Sequence, residues 1–107
     1  MNYSADSMVR HNVYFWLDVS LSAEDKSRFE AGLQDLFSIE VIRNGSFGKP
    51  AATPERPVTQ NTFDYSLFLE FDSVEDHNAY QVHPDHDVFV NTFSPWFKTV
   101  KVYDSEL

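Results

Sequence analysis

Tyr80-Gln81-Val82-His83-Pro84-Asp85-His86-Asp87-Val88-Phe89-Val90-Asn91-Thr92-Phe93 places a proline between two histidines and then runs into apolar residues at helical spacing. Proline suits the first turn of a helix, where its missing N–H has no partner to lose. His83-Pro84-Asp85 is therefore the predicted start of a helix, with Asp85 and Asp87 set against the positive end of its dipole. Phe89, Val90, Phe93 and Phe97 follow as its apolar side. Counting back three and four residues from Phe89 and Val90 reaches His86. The helix thus carries a histidine on the face it should bury.

Upstream, Ser73-Val74-Glu75-Asp76 reads as another helix start, capped by Ser73. That helix continues through Val74, His77 and Tyr80 to Pro84, where the second segment takes over until about Trp96. Before it, Phe63 to Phe71 is the clearest strand: Phe63, Tyr65, Leu67, Leu69 and Phe71 share one side, and Thr62, Asp64, Ser66, Phe68 and Glu70 the other. Met8 to Val19 is also a strand, with Val9, His11, Val13, Phe15 and Leu17 on one face and Arg10, Asn12, Tyr14, Trp16 and Asp18 on the other. Ser22 caps a helix whose buried stripe is Phe29, Leu33, Leu36 and Phe37. Ile39 to Phe47 reads as a strand of weak alternation, Lys98 to Tyr103 as a last short strand, and Asp104 to Leu107 as a tail. Met1 to Ser7 is expected to fray.

The order β-α-β-β-α(α)-β is the split βαβ pattern, an α+β ferredoxin-like βαββαβ subunit with an antiparallel sheet and helices on one face. Tyr14, Trp16 and Phe68 fall on the uncovered face. A second sheet related by a twofold axis would keep them from water, so a homodimer with sheets face to face is expected. Residues 45–61 hold three prolines and two glycines and form a long loop. Pro50, Pro54 and Pro57 lower the entropy cost of ordering it. Residues 48–60 are expected to lie over the partner or the rim of the sheet, anchored by Val58, with Arg56 facing acidic surface.

With 107 residues, the chain is expected to form one domain, residues 1–107, with its core in 8–104. A formal net charge of −9 argues against nucleic acid and anionic membrane surfaces. No apolar run approaches a membrane span. The absence of cysteine excludes disulfides, thiolate metal sites and cysteine nucleophiles. No secretory leader is visible in the sequence, and a cytoplasmic location is expected.

Val9-Arg10-His11, Phe71-Asp72-Ser73, Tyr80-Gln81-Val82-His83-Pro84-Asp85-His86 and Val102-Tyr103-Asp104 together resemble the stress-responsive A/B barrel domain (Dabb) family. The likeness spans Met8 to Asp104, and the Tyr-x-x-His-Pro-x-His signature is its most specific part. It implies ferredoxin-like subunits paired into a dimeric α+β barrel. The loop at 45–61 is longer than the family's usual connection. One branch of the family, resembling plant polyketide cyclases, closes rings in poly-β-keto substrates. The resemblance to that branch implies a catalytic set of His86, His11 and Tyr80.

Such a set has a plain chemistry. An imidazole takes a proton from a carbon beside a carbonyl, and a second imidazole or a phenol donates to the developing enolate. The competing reading is a non-catalytic stress-associated dimer whose histidines pin helix to sheet, with His86 hydrogen-bonded to His11. Burial should keep His86 neutral. A cofactor-free monooxygenase-like barrel is a third reading, by fold analogy alone. His77, His83, Asp85, His86 and Asp87 lack a recognised metal-ligand spacing, so neither metal nor cofactor is expected, and His77 and His83 read as helix-end and surface residues. No nucleophile elbow, phosphate-cradling glycine loop or dinucleotide fingerprint is present. A homodimer with a small-molecule ligand is the expected assembly.

Overall fold

In a computed structural model that describes residues 7–107, four antiparallel strands form one sheet in the order β2-β3-β1-β4. The expected frayed tail, apart from Ser7, lies outside the described residues. β1 (Val9–Leu17) and β3 (Tyr65–Phe71) lie at the centre, and both alternate strictly between buried and half-buried residues. α1 (Ala23–Leu36), α2 (Val74–Gln81) and α3 (Pro84–Phe93) connect the strands. This is the βαββαβ ferredoxin-like arrangement that the periodicities imply. Each helix starts where its capping chemistry indicates. Ser22 and Asp25 form a reciprocal capping box, Ser73 accepts from the Asp76 amide, and His83 Nδ1 accepts from the Asp85 amide just before Pro84.

The inward-facing residues of β1 and β3 meet Phe29, Leu33, Leu36, Tyr80, Phe89 and Phe93 from the helices. Phe29 is the hub of that core, fully buried and ringed by Phe15, Tyr65, Phe89 and Phe93 at centroid distances of 5.2–5.7 Å. Gly32 lets α1 approach α3 closely, because a Cβ there would lie 2.3 Å from the Phe93 ring. Phe97, expected on the helix, instead follows a 3₁₀ turn at Ser94–Trp96 and opens the last strand.

Four expectations need correction. β2 spans only Asn44–Gly48; Ile39 to Ile42 close a turn, and the Arg43 amide donates to Glu70 O just ahead of the strand. Ile39 is buried and Val41 and Ile42 pack on the core, so their apolarity reflects tertiary packing rather than a strand. β4 runs from Phe97 to Glu106 and pairs with β1 along its whole length, with Val9 opposite Glu106 and a register shift at Trp16/Leu17. Its last residues, Asp104 to Glu106, are polar and exposed and carry the composition of a tail, yet they pair with His11 to Val9. Phe63 precedes β3 and packs on Tyr14 and Trp16, the opposite side from Tyr65. Val58, expected as an anchor, is 76% exposed. The loop is held at its far end instead, where Thr62 Oγ1 accepts from the Trp16 indole at 2.9 Å and Asp64 accepts from the Leu17 amide at 2.7 Å.

The uncovered sheet face carries Tyr14, Trp16, Phe63 and Tyr103 beside Asn12, Gln60 and Lys101, which line an open groove of about 510 Å³. Arg10 pairs with Glu70 at 3.4 Å on the same face. Among the described residues, no helix is long and apolar enough to cross a membrane.

Candidate functional site

His11 points inward from the middle of β1, between Val9 and Val13, and is 3% exposed. The sheet register puts it opposite Leu69 on β3 and Asp104 on β4. Its Nδ1 lies 2.5 Å from Asp104 Oδ1. A carboxylate only accepts, so Nδ1–H donates and the neutral ring carries its lone pair on Nε2. Burial lowers the His11 pKa more than Asp104 raises it.

Tyr80 ends α2 and is fully buried. Its ring meets His11 at 5.9 Å and His86 at 4.8 Å. Burial pushes its pKa upward, so the phenol keeps its proton at neutral pH. His86 stands in the first turn of α3, half-buried. Its pKa is lowered, chiefly by burial, with His11 adding to the effect and Asp87 opposing it. These three side chains border a cavity of about 110 Å³ whose other walls include Val13, Phe89 and Val102. The sequence-derived set is thus brought together at one place.

The expected His86–His11 hydrogen bond is not formed. Asp104 occupies His11 Nδ1, and the Gln81 amide reaches His86 Nε2 at 3.2 Å across the junction of α2 and α3. As oriented, that amide donates, which places the ring proton on Nδ1. His86 Nδ1 is buried and finds no hydrogen-bond partner among the described residues.

His77 also departs from expectation. One turn before Tyr80, its side chain is only 15% exposed and its ring centroid is 4.9 Å from that of His11. His83 is the helix-end residue the sequence implies, with Nε2 turned to Glu40 at 3.0 Å. The candidate ligands His83, Asp85, His86 and Asp87 are not gathered into one site. Among the described residues, the group of close His and carboxylate donors is His11, His77 and Asp104. Asp104 was legible in principle. Extending the alternation of Val100 and Val102 by one step puts it on the inner face, beyond the expected end of the strand at Tyr103.

The model of the stress-responsive A/B barrel domain matches residues 9–107, nearly the entire chain. The chain belongs to the stress-responsive A/B barrel domain family. No curated protein matches it by sequence. Solved structures similar to this A/B barrel chain include a dimeric protein of unknown function and ferredoxin-like fold from Bacteroides fragilis, 25% identical, with 94% of this chain and 96% of that one covered and a TM-score of 0.71. A Dabb family protein with a ferredoxin-like fold from Mesorhizobium loti is 22% identical, with coverage of 92% and 95% and a TM-score of 0.75. Hydroxynitrile lyase from Passiflora edulis is 20% identical, with coverage of 95% and 94% and a TM-score of 0.81. The last two, below 25% identity, speak for the fold of this A/B barrel chain alone.

Proposed function

We propose that this A/B barrel chain binds a small carbonyl compound, or the reactive end of a longer poly-β-keto chain, and moves a proton at the carbon beside the carbonyl. His86 is the base, Tyr80 the proton-bearing donor to the enolate oxygen, and His11 the second polar wall, held by Asp104. The observation that carries this reading is the convergence of the three side chains on one cavity with His86 Nδ1 unpartnered. A core polar atom kept only for packing normally finds a partner.

The protonation states suit the task. His86 is neutral at pH 7 because its pKa is lowered, and Tyr80 keeps its proton. The Gln81 amide sets the His86 tautomer. Rotated by 180°, its oxygen accepts Nε2–H and the lone pair moves to Nδ1. That state also avoids burying an N–H without an acceptor, the costlier of the two arrangements. The cavity of about 110 Å³ is below the usual ligand-pocket range of roughly 300–1,000 Å³. It therefore fits a few heavy atoms rather than a whole polyketide.

The working unit is a homodimer formed through the sheet face of Tyr14, Trp16, Phe63 and Tyr103. The dimeric description of the B. fragilis neighbour supports this. A second reading rests on the 2.5 Å His11–Asp104 bond, which by itself would pin β4 to β1 and make His11 structural. Deuterium exchange at the α-carbon of 2,4-pentanedione and acetoacetate esters, followed by NMR, separates the two. The wild type is expected to speed exchange above buffer, and His86→Gln to lose roughly 10²-fold of that rate while keeping its fold. Equal rates for wild type, variant and buffer would leave the structural reading standing.

A further inference from the structure

Behind the His11 ring, His77 takes no part in that chemistry, and Asp104 enters it only by holding His11. His77 Nδ1 meets the Asn78 side-chain oxygen at 3.0 Å. With the Asn78 amide oxygen turned to the ring, as oriented here, it accepts, which puts the ring proton of His77 on Nδ1 and a lone pair on Nε2. That Nε2 is buried, finds no hydrogen-bond partner among the described residues, and lies 3.8 Å from Asp104 Oδ2. The gap is too long for an N–H···O hydrogen bond. A lone pair facing a carboxylate oxygen is repulsive unless positive charge lies between them. Two ligand atoms on one tetrahedral zinc ion, with bonds of roughly 2.0–2.2 Å, sit about 3.3–3.6 Å apart.

We propose that His11, His77 and Asp104 form a binding site for a divalent first-row transition cation of the zinc type. Their donor atoms lie within 4.8 Å of one another and come from three separate elements, β1, α2 and β4. Two imidazoles and one carboxylate suit zinc, cobalt or nickel, whereas magnesium and calcium take oxygen ligands. Asn78 fixes the His77 tautomer as the outer partners of metal-bound histidines do. Asp104 is 45% exposed and opens the site to solvent. Binding requires His11 to carry its ring proton on Nε2 instead of Nδ1. Two metal–ligand bonds then replace the His11–Asp104 hydrogen bond. The ion would clamp the last strand and α2 onto β1.

Calorimetric titration of Zn²⁺ into the tag-free, chelator-treated full chain tests this, with the visible absorption of bound Co²⁺ as a second readout. The wild type is expected to take up one zinc per chain with micromolar or tighter affinity. His77→Gln and Asp104→Asn should each weaken binding at least about tenfold, with unchanged circular dichroism. Because Asp104 is exposed, its variant removes a ligand without emptying the core. His83→Gln, which disrupts the more exposed His83–Glu40 pair, should leave affinity unchanged. Zinc should raise the melting temperature of the wild type and not that of Asp104→Asn. The absence of saturable binding at micromolar zinc overturns the proposal. So does binding that survives Asp104→Asn and His77→Gln but is lost in His83→Gln.

Discussion

The layer between helices and sheet has two ends that differ in kind. Around Phe29, rings from two strands and two helices fill the space, and the helices touch closely enough to require Gly32. Around His11, the same two strands and the α2–α3 junction enclose three histidines, a tyrosine and a small cavity, with two buried ring nitrogens unpartnered among the described residues. One end is finished as packing. The other keeps buried polar groups that the packing leaves without partners among the described residues. The difference follows from which helix covers which part of the sheet. α1 and α3 close over Phe15 and Tyr65, whereas the outer strand β4 leaves Val102 and Asp104 about half exposed beside His11.

The largest losses of stability are expected at the packed end. Phe29→Ala removes the hub of the ring cluster and is expected to cost about 3–5 kcal/mol in urea unfolding. A loss below 1 kcal/mol would mean that this end is not the tightly packed one. Gly32→Ala comes next. Alanine favours a helix, yet its methyl would meet the Phe93 ring, so a net loss of about 1–3 kcal/mol is expected. Stabilisation instead would show that α1 and α3 can separate freely.

At the other end, His86→Leu should change stability by no more than about 1 kcal/mol, because it removes an unpartnered buried nitrogen along with the imidazole. It should abolish α-proton exchange. The smallest effect is on pH dependence. His11 and His86 are both held below the ordinary value of 6.5, first by burial. The unfolded chain therefore takes up these protons before the folded one does. Their contribution is complete above pH 6.5 and is lost as pH falls through the lower folded values. Melting temperatures between pH 7.5 and 5 should decline, with a shallower slope for His86→Leu. Glu30 is held below its ordinary 4.5, first by the Tyr65 hydroxyl, and so acts only in a more acidic window.

The packed end was the legible one. Strict alternation in β1 and β3 and the stripes of α1 and α3 announce a buried face without reference to partners. Ile39 to Ile42 misled because a short apolar run in a packed turn has the composition of a strand. The polar end was half legible. His86 follows from helical spacing, and His11 and Tyr80 from the family signature. His77 and Asp104 depend on tertiary placement. The alternation of Val100 and Val102 can put Asp104 on the inner face, but its place opposite His11 comes from the β1–β4 register. The burial of a lone histidine on a polar helix comes from tertiary packing. Neither is encoded in a local pattern. Phe63 fails for a related reason, since the chain changes sides before β3 begins.

The proposed chemistry needs a neutral His86 beside a cavity that accepts a carbonyl compound. Long-range ¹H–¹⁵N spectra of the histidine rings, recorded over pH 4.5–8 with and without 2,4-pentanedione, test it most directly. His86 and His11 are expected to titrate below 6.5, and the ring-nitrogen signals of His86 to move when the diketone is added, while those of His83 stay in place. A His86 that titrates at or above 6.5 and ignores saturating diketone would contradict it.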